Sequence, residues 1–337
     1  MPAVARALSY RDQVNSSSQF AADALAGLIA DPKTLPAKYF YDDAGSLLFE
    51  RITKLPEYYP TRTELGILAT HAAEIGQLLP DQGALIEFGS GACTKASLVL
   101  EAAPHVGVYV PVDISSETLR READTLRRKF PRLAVLPVEA DFCTLFEIPL
   151  EIATLPRAGF FPGSTIGNFE PHEAATFLRN AGRILGGGAP FIIGVDLVKD
   201  RAVLNAAYND REGVTAKFNL NLLTRMNREL GANFHLKNFE HHAFFNRERS
   251  RIEMHVASIK RQKVKLLGET IEFRAGETIH TENSYKYTLK SFAALARGSG
   301  WDVRFAWTDA QQYFAVFGLV HDMQLAKAHD RAGTTRL

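Results

Sequence analysis

Cysteine is nearly absent: Cys93 and Cys143 are the only two in 337 residues. So low a count excludes a disulfide scaffold, and two thiols this far apart give no zinc-ligand spacing, so both are expected free in a reducing compartment. An excess of charge of either sign is also missing. The 39 Lys and Arg against 38 Asp and Glu leave a formal net charge of +1, without the basic footprint of a nucleic-acid binder. No apolar run approaches the roughly twenty residues needed to cross a bilayer. The N-terminus has no basic-then-apolar leader pattern, and neither repeats nor low-complexity tracts occur. What remains is an ordinary globular composition, 46% apolar and 23% charged. It suits a cytoplasmic chain of one large domain or two intimate ones.

Along the chain, residues 19–30 read as a short amphipathic helix, and an aromatic, proline-punctuated segment follows over 35–63. Apolar positions at helical spacing predict one helix from Thr63 to about Leu79. Strand and helix signals then alternate. Apolar runs at Ala84–Phe88, Gly107–Val112, Leu133–Val138, Gly159–Phe161 and Pro190–Val195 are separated by helical stretches at Lys95–Ala102, Glu117–Lys129 and Glu173–Ile184. That rhythm predicts a parallel sheet of right-handed βαβ units. It breaks after Lys199 and resumes near Tyr287, with a helix at Leu289–Gly298 and strands at Trp301–Trp307 and Phe314–Val320. The expected fold class is α/β: a doubly wound, Rossmann-like sheet with an antiparallel edge strand over 62–199 and 287–321. A second, substrate-binding lobe is expected from 19–61 and 200–286, with polar tails at 1–18 and 322–337. Ligands of such sheets bind beyond the carboxyl ends of the strands.

The first strand runs into Gly89-Ser90-Gly91, where glycine permits a tight turn and close approach of a ligand. The third glycine of a dinucleotide fingerprint is absent, Thr94 standing in its place, which disfavours a pyrophosphate cofactor. Asp113 ends the second strand at the distance where a carboxylate accepts from both hydroxyls of a ribose. Asp141-Phe142 follows the third strand, where an acid can accept from the exocyclic amine of an adenine and an aromatic ring can stack on it. Three polar features at three successive strand ends point to a nucleoside. The alternative reading of the two acids is as plain helix N-caps.

These residues resemble a class I S-adenosylmethionine-dependent methyltransferase. Lys38-Tyr39-Phe40-Tyr41-Asp42, the run Leu55–Glu64, the run Gly163–Asn168 and Asp196-Leu197-Val198-Lys199-Asp200 resemble, more narrowly, the L-histidine N-α-methyltransferases of ergothioneine biosynthesis, over about residues 20–320. The resemblance implies three methylations of the histidine α-amine to give hercynine, by a monomer without metal. It implies an adenosyl site at Gly89, Ser90, Lys95, Asp113, Asp141 and Phe142. The substrate carboxylate would meet Asn168 and Tyr208, and the imidazole Glu282 and Ser284. Tyr41, Phe49, Tyr58, Gly163 and Met254 would line the pocket. Ala92-Cys93-Thr94, Asn283 and Tyr285 depart from the family pattern.

The chemistry is consistent with those assignments. Methyl transfer from a sulfonium is an in-line displacement that needs positioning, by Asn168, Tyr208 and Tyr41, more than it needs a base. The aromatic faces of Tyr41, Phe49 and Tyr58 suit an amine that becomes a bulky cation. Glu282 and Ser284, two apart on a strand, face one side. A carboxylate beside a hydroxyl serves both nitrogens of an imidazole, whereas indole offers one N–H. The histidines at 235, 241, 242, 255 and 280 form no compact metal-ligand pattern, and Lys199 beside Asp200 reads as a surface pair of little energetic value. Open alternatives are α-N-methylation of another free amino acid such as tryptophan, a nicotinamide-dependent oxidoreductase, and a non-catalytic nucleoside-binding protein.

Overall fold

A computed structural model describes residues 18–91 and 93–325. Most of the expected tails, 1–18 and 322–337, lie outside these residues. The described chain divides into two compact units, one of residues 18–59 and Asp200–Ser284, the other of Pro60–Lys199 and residues 285–325.

In the first unit, helix α1 (residues 18–29) buries Phe20, Ala24 and Leu28 at four-residue spacing, the stripe an amphipathic helix turns to its core. Strand β1 (Lys33–Thr34) and helix α2 (Asp43–Ile52) follow. Asp42 caps α2 by accepting from the Gly45 amide at 2.8 Å, and also accepts from Asn221 at 2.7 Å and Arg228 at 2.6 Å.

The helix expected over 63–79 is two helices, α3 (Tyr59–Thr70) and α4 (Ala72–Leu78). His71, with ψ 16°, interrupts them. The bend lets Gly76 sit where an added Cβ would lie 2.5 Å from the Ala102 carbonyl, a tertiary contact that helical periodicity cannot reveal. Strand β2 (Ala84–Phe88), α5 (Thr94–Ala102), β3 (Val108–Asp113) and α6 (Ser116–Lys129) come next. The strand expected at 133–138 is two fragments, β4 (Ala134–Val135) and β5 (Val138–Glu139). Pro137 lies between them and has no N–H to give the ladder. Strand β6 (Arg157–Phe161), α7 (Pro171–Leu185) and β7 (Pro190–Asp196) complete this half of the sheet.

The chain returns to the first unit with α8 (Arg201–Tyr208), α9 (Val214–Leu230), β8 (Phe239–Asn246), β9 (Arg251–Ser258), the hairpin β10 (Gln262–Leu266) and β11 (Glu269–Phe273), and β12 (Thr278–Tyr285). Its main sheet has the order β1-β12-β9-β8. Helix α10 (Leu289–Arg297) and strands β13 (Trp301–Thr308) and β14 (Phe314–His321) close the second unit.

The large sheet is ordered β13-β14-β7-β6-β2-β3-β4. β2, β3, β6 and β7 pair in parallel; β14 runs antiparallel to β7, and β13 antiparallel to β14. Consecutive residues of the inner strands are buried on opposite faces. Ile86, Phe161 and Phe191 pack with Trp301 and Phe177 on one side; Leu85, Phe160 and Ile192 pack with Tyr109 and Phe314 on the other. Such two-sided burial explains the continuous apolar runs seen in the sequence. The order reverses between β2 and β6, so the loops after these two strands diverge and leave a crevice at the sheet's carboxyl edge.

Asp42 joins a helix cap to two side chains of α9, so Asp42→Ala is expected to lower unfolding stability by about 2–3 kcal/mol. Urea denaturation followed by circular dichroism would measure the loss; an unchanged midpoint would show that the cluster adds nothing.

Candidate functional site

In the second unit, β2 runs into Gly89, which has φ +73°. A Cβ there would approach the Phe142 ring to 3.0 Å, so both the backbone conformation and the packing require glycine. The amides of Gly89 and Ser90 donate to the Val112 carbonyl at 2.9 and 3.0 Å, tying the turn to the end of β3. Among the described residues, a Cβ on Gly91 would meet nothing within 4 Å. The turn thus faces open space on one side, as a ligand lying on it requires. Below the turn, Glu87 is buried and accepts from the Tyr109 hydroxyl; burial pushes its carboxyl up to about 8. The Cys93 amide donates to Glu122 at 2.9 Å and its thiol bonds to the same carboxylate. Burial raises that thiol, so Cys93 anchors the loop as an unreactive group.

Asp113 and Asp141 are each held in a tight local turn, accepting at 2.9 Å from the amides of Ser115 and Cys143. Burial pushes Asp113 up to about 6, opposed by backbone donors. No cation is among the groups that shift it. A half-buried carboxylate shifted only by burial and backbone donors is chemically able to accept from neutral hydroxyls. Asp141 is exposed, and the Phe142 ring lies edge-on to Phe161 at 5.7 Å.

Lys95, in the first turn of α5, is paired with Glu64 of α3 at 2.5 Å. The same carboxylate accepts from the Gly163 amide at 2.8 and 3.0 Å. Sequence reading left Glu64 without a role, since nothing local distinguishes it from a solvated helix acid. After β6, Asn168 ends a 3-10 turn over Thr165–Asn168. The turn is pinned where a Cβ on Gly167 would sit 2.8 Å from the Tyr285 carbonyl, and Tyr285 donates its hydroxyl to Glu170 at 2.6 Å. The half-buried Asn168 amide makes no side-chain hydrogen bond among the described residues.

In the first unit, Tyr208 closes α8 and donates its hydroxyl to Ser284 at 2.8 Å, both side chains being buried. Two residues expected at opposite ends of a substrate therefore touch. Glu282 is half-buried and shares a β12 face with Ser284. Tyr41, Phe49 and Tyr58 stand edge-to-face, Tyr41 and Phe49 at 5.6 Å and Phe49 and Tyr58 at 6.2 Å. Tyr58 reaches Tyr208 at 6.3 Å. Phe218 of α9 joins the cluster, 5.7 Å from Tyr41 and 5.9 Å from Phe49; sequence reading had given it no role. Met254 is 1% exposed, within the core of the small sheet.

Two expectations are corrected. Lys199 is no surface residue: it pairs with buried Asp196 at 2.6 Å, and Lys286 reaches the other oxygen at 2.8 Å. Asp200 instead caps α8 through the Ala202 amide at 2.7 Å. Two of the histidines also cluster more tightly than their sequence spacing suggested. Glu253, His255 and His280 bring ligand-type atoms within 4.8 Å of one another. The two imidazoles stack face to face at 4.5 Å, and Arg251 holds Glu253 at 2.8 Å. Ring lone pairs lie in the ring plane, so stacked rings aim them side by side, and the guanidinium already neutralises the carboxylate; the donor set does not suit a metal.

Residues 20–321 match the family model described as histidine-specific methyltransferase, SAM-dependent. A histidine N-alpha-methyltransferase of Mycobacterium tuberculosis is 39% identical over 87% of this chain and 92% of its own length. One from Mycolicibacterium smegmatis is 40% identical over the same shares. Ergothioneine biosynthesis protein 1 of Neurospora crassa is 33% identical over 84% of this chain, which covers 32% of that longer protein. Among solved structures, a methyltransferase of Streptomyces caelestis is 12% identical over 76% of this chain and 95% of its own, with a TM-score of 0.45.

As the expected acceptor of two ribose hydroxyls Asp113 would have to be ionised, and burial pushes its carboxyl up to about 6. Affinity for S-adenosylmethionine is therefore expected to hold above that value and to fall below it, by up to about tenfold per pH unit. Calorimetry between pH 5 and pH 8 reads this directly, and Asp113→Asn should flatten the profile. Undiminished binding by the wild-type protein at the acid end would remove Asp113 from the site.

Proposed function

This chain belongs to the histidine-specific, S-adenosylmethionine-dependent methyltransferases, and from that premise we propose that it trimethylates the α-amine of free L-histidine to give hercynine, the first step of ergothioneine biosynthesis. The observation that carries this reading is the likeness to two histidine N-alpha-methyltransferases at 39 and 40% identity over 87% of the chain. The side chains support it. Glu282 and Ser284 share one face of β12, and the Tyr208 hydroxyl orients Ser284. A carboxylate receives one imidazole N–H while the serine hydroxyl serves the other ring nitrogen.

S-adenosylmethionine supplies an electrophilic methyl group on a sulfonium. The chain's own residues bind and align. The Gly89–Gly91 turn, Ser90, Asp113, Asp141 and Phe142 hold the nucleoside, and Lys95 offers a cation to the methionine carboxylate. Asn168, whose side-chain amide makes no hydrogen bond among the described residues, takes the carboxylate of the amino acid. Alignment of this kind contributes up to about 7–11 kcal/mol in ideal intramolecular cases. Deprotonated amine attacks directly, and the released proton passes to water. Tyr41, Phe49 and Tyr58 present ring faces to the growing ammonium; each face over a cation contributes about 0.5–2 kcal/mol. The protein works as a monomer in the cytoplasm on small molecules. Two free thiols fit a reducing compartment; among the described residues no helix is long and apolar enough to cross a membrane.

Incubation with S-adenosylmethionine and a mixture of free amino acids, followed by mass spectrometry, is expected to show histidine gaining three methyl groups. A methylated tryptophan in its place would transfer the reading to that amino acid, and no methylated product at all would end it. Glu282→Ala is expected to raise the KM for histidine by roughly tenfold to a hundredfold, the loss of one charge-assisted hydrogen bond, with a smaller change in kcat. Steady-state kinetics separates the two; an unaltered KM would place Glu282 away from the imidazole.

A further inference from the structure

Glu64 is 1% exposed, and a carboxylate so buried needs partners that offset its lost hydration. Its partners are two groups already assigned to ligands. One oxygen meets the Lys95 ammonium at 2.5 Å, and the carboxylate accepts from the Gly163 amide at 2.8 and 3.0 Å. The surroundings are shaped around it. A Cβ on Gly194 of β7 would fall 2.0 Å from Glu64 Oε1, so only glycine leaves room for the carboxylate. Gly163 has φ +86°, and a Cβ there would stand 3.4 Å from Lys95 Nζ. Four elements thus converge on one acid: α3 supplies it, α5 the cation, the loop after β6 the amide, and β7 the space. Lys95 follows the glycine turn after β2, and Gly163 opens the loop after β6. Glu64 therefore bridges the two loops that diverge at the reversal of strand order.

We propose that Glu64 is a positioning residue that fixes the Lys95 ammonium against the Gly163 loop, so that the cation is already in place when the co-substrate's carboxylate arrives. The inference rests on the proposed methyltransferase reading, in which Lys95 meets S-adenosylmethionine. A lysine side chain is long and flexible, and holding it in one rotamer before binding removes an ordering cost that binding would otherwise bear. The Glu64 charge acts through Lys95 and touches no ligand itself.

A double-mutant cycle on the full chain tests this, with S-adenosylmethionine affinity read by calorimetry and folding checked by circular dichroism. Lys95→Met alone is expected to weaken binding by tenfold or more. Glu64→Gln keeps the shape and one acceptor for Gly163 but removes the counter-charge, and should weaken binding about tenfold, which corresponds to about 1.4 kcal/mol. The double variant should bind no worse than Lys95→Met. Glu64→Asp retains the charge on a shorter stem and should fall between wild type and Glu64→Gln; if Glu64→Gln does not fold, Glu64→Asp takes its place in the cycle. Unchanged or tighter binding by a folded Glu64 variant overturns the proposal, as do losses that simply add in the double variant. If the wild-type protein itself binds no S-adenosylmethionine, it is the methyltransferase reading that fails, and the wild-type titration shows this before any variant is compared.

Discussion

The reversal of strand order between β2 and β6 is the constraint on which the nucleoside half of this protein depends. In a parallel sheet every strand ends at the same edge, and crossover helices cover the faces. Neighbouring strands whose connections leave in opposite directions cannot have their loops packed over each other. At that one place the backbone after β2 turns at Gly89 and the backbone after β6 turns at Gly163, both with positive φ. The open side of Gly91 and the uncommitted amide of Asn168 follow from the same divergence.

Four acids at this carboxyl edge show how burial is made tolerable, and the differences assign their tasks. Glu87 is pushed up to about 8 and bonded by Tyr109, so at neutral pH it is mostly uncharged. Asp196 is held low by Lys286 and Lys199 despite full burial. Glu64 is matched by one lysine and one backbone amide. Asp113 has backbone donors only, and of the four it is the one left with acceptor capacity toward a neutral ligand. Sugar hydroxyls are such a ligand, and a second anion is not.

In the proposed reading the first unit meets another problem: an amine that gains methyl groups ends as a permanent cation that is too bulky for a close carboxylate contact. A cluster of Tyr41, Phe49, Tyr58 and Phe218, edge-to-face except for the tilted Phe49–Phe218 pair, offers apolar, polarisable walls. Its rigidity comes from α9, where Phe218 also stacks on Phe40 at 4.5 Å. The Tyr208–Ser284 hydrogen bond adds a fixed polar point beside Tyr58. Burial lowers His241, His255 and His280 of the same unit, His255 to about 4 with the neighbouring His280 adding to the effect.

Local order was legible in the amino-acid sequence wherever the cause was itself local. The apolar runs of β2, β6 and β7, the glycine turn after β2, and Asp113 at the end of β3 are each set by neighbours a few residues away, so spacing alone located them. Pro137 inside the expected third strand was a local signal too, and it accounts for the split into β4 and β5. The structure alone decided which distant residues share an environment. Glu64 meets Gly163 across 99 positions and Tyr208 meets Ser284 across 76. Lys199 turns inward to Asp196 because Lys286 and a buried strand end surround the same carboxylate. Hydrophobic periodicity records whether a side chain faces inward and carries no record of what it meets there. Pairing between remote charged and polar groups is set by how strands and helices cross once the core has closed.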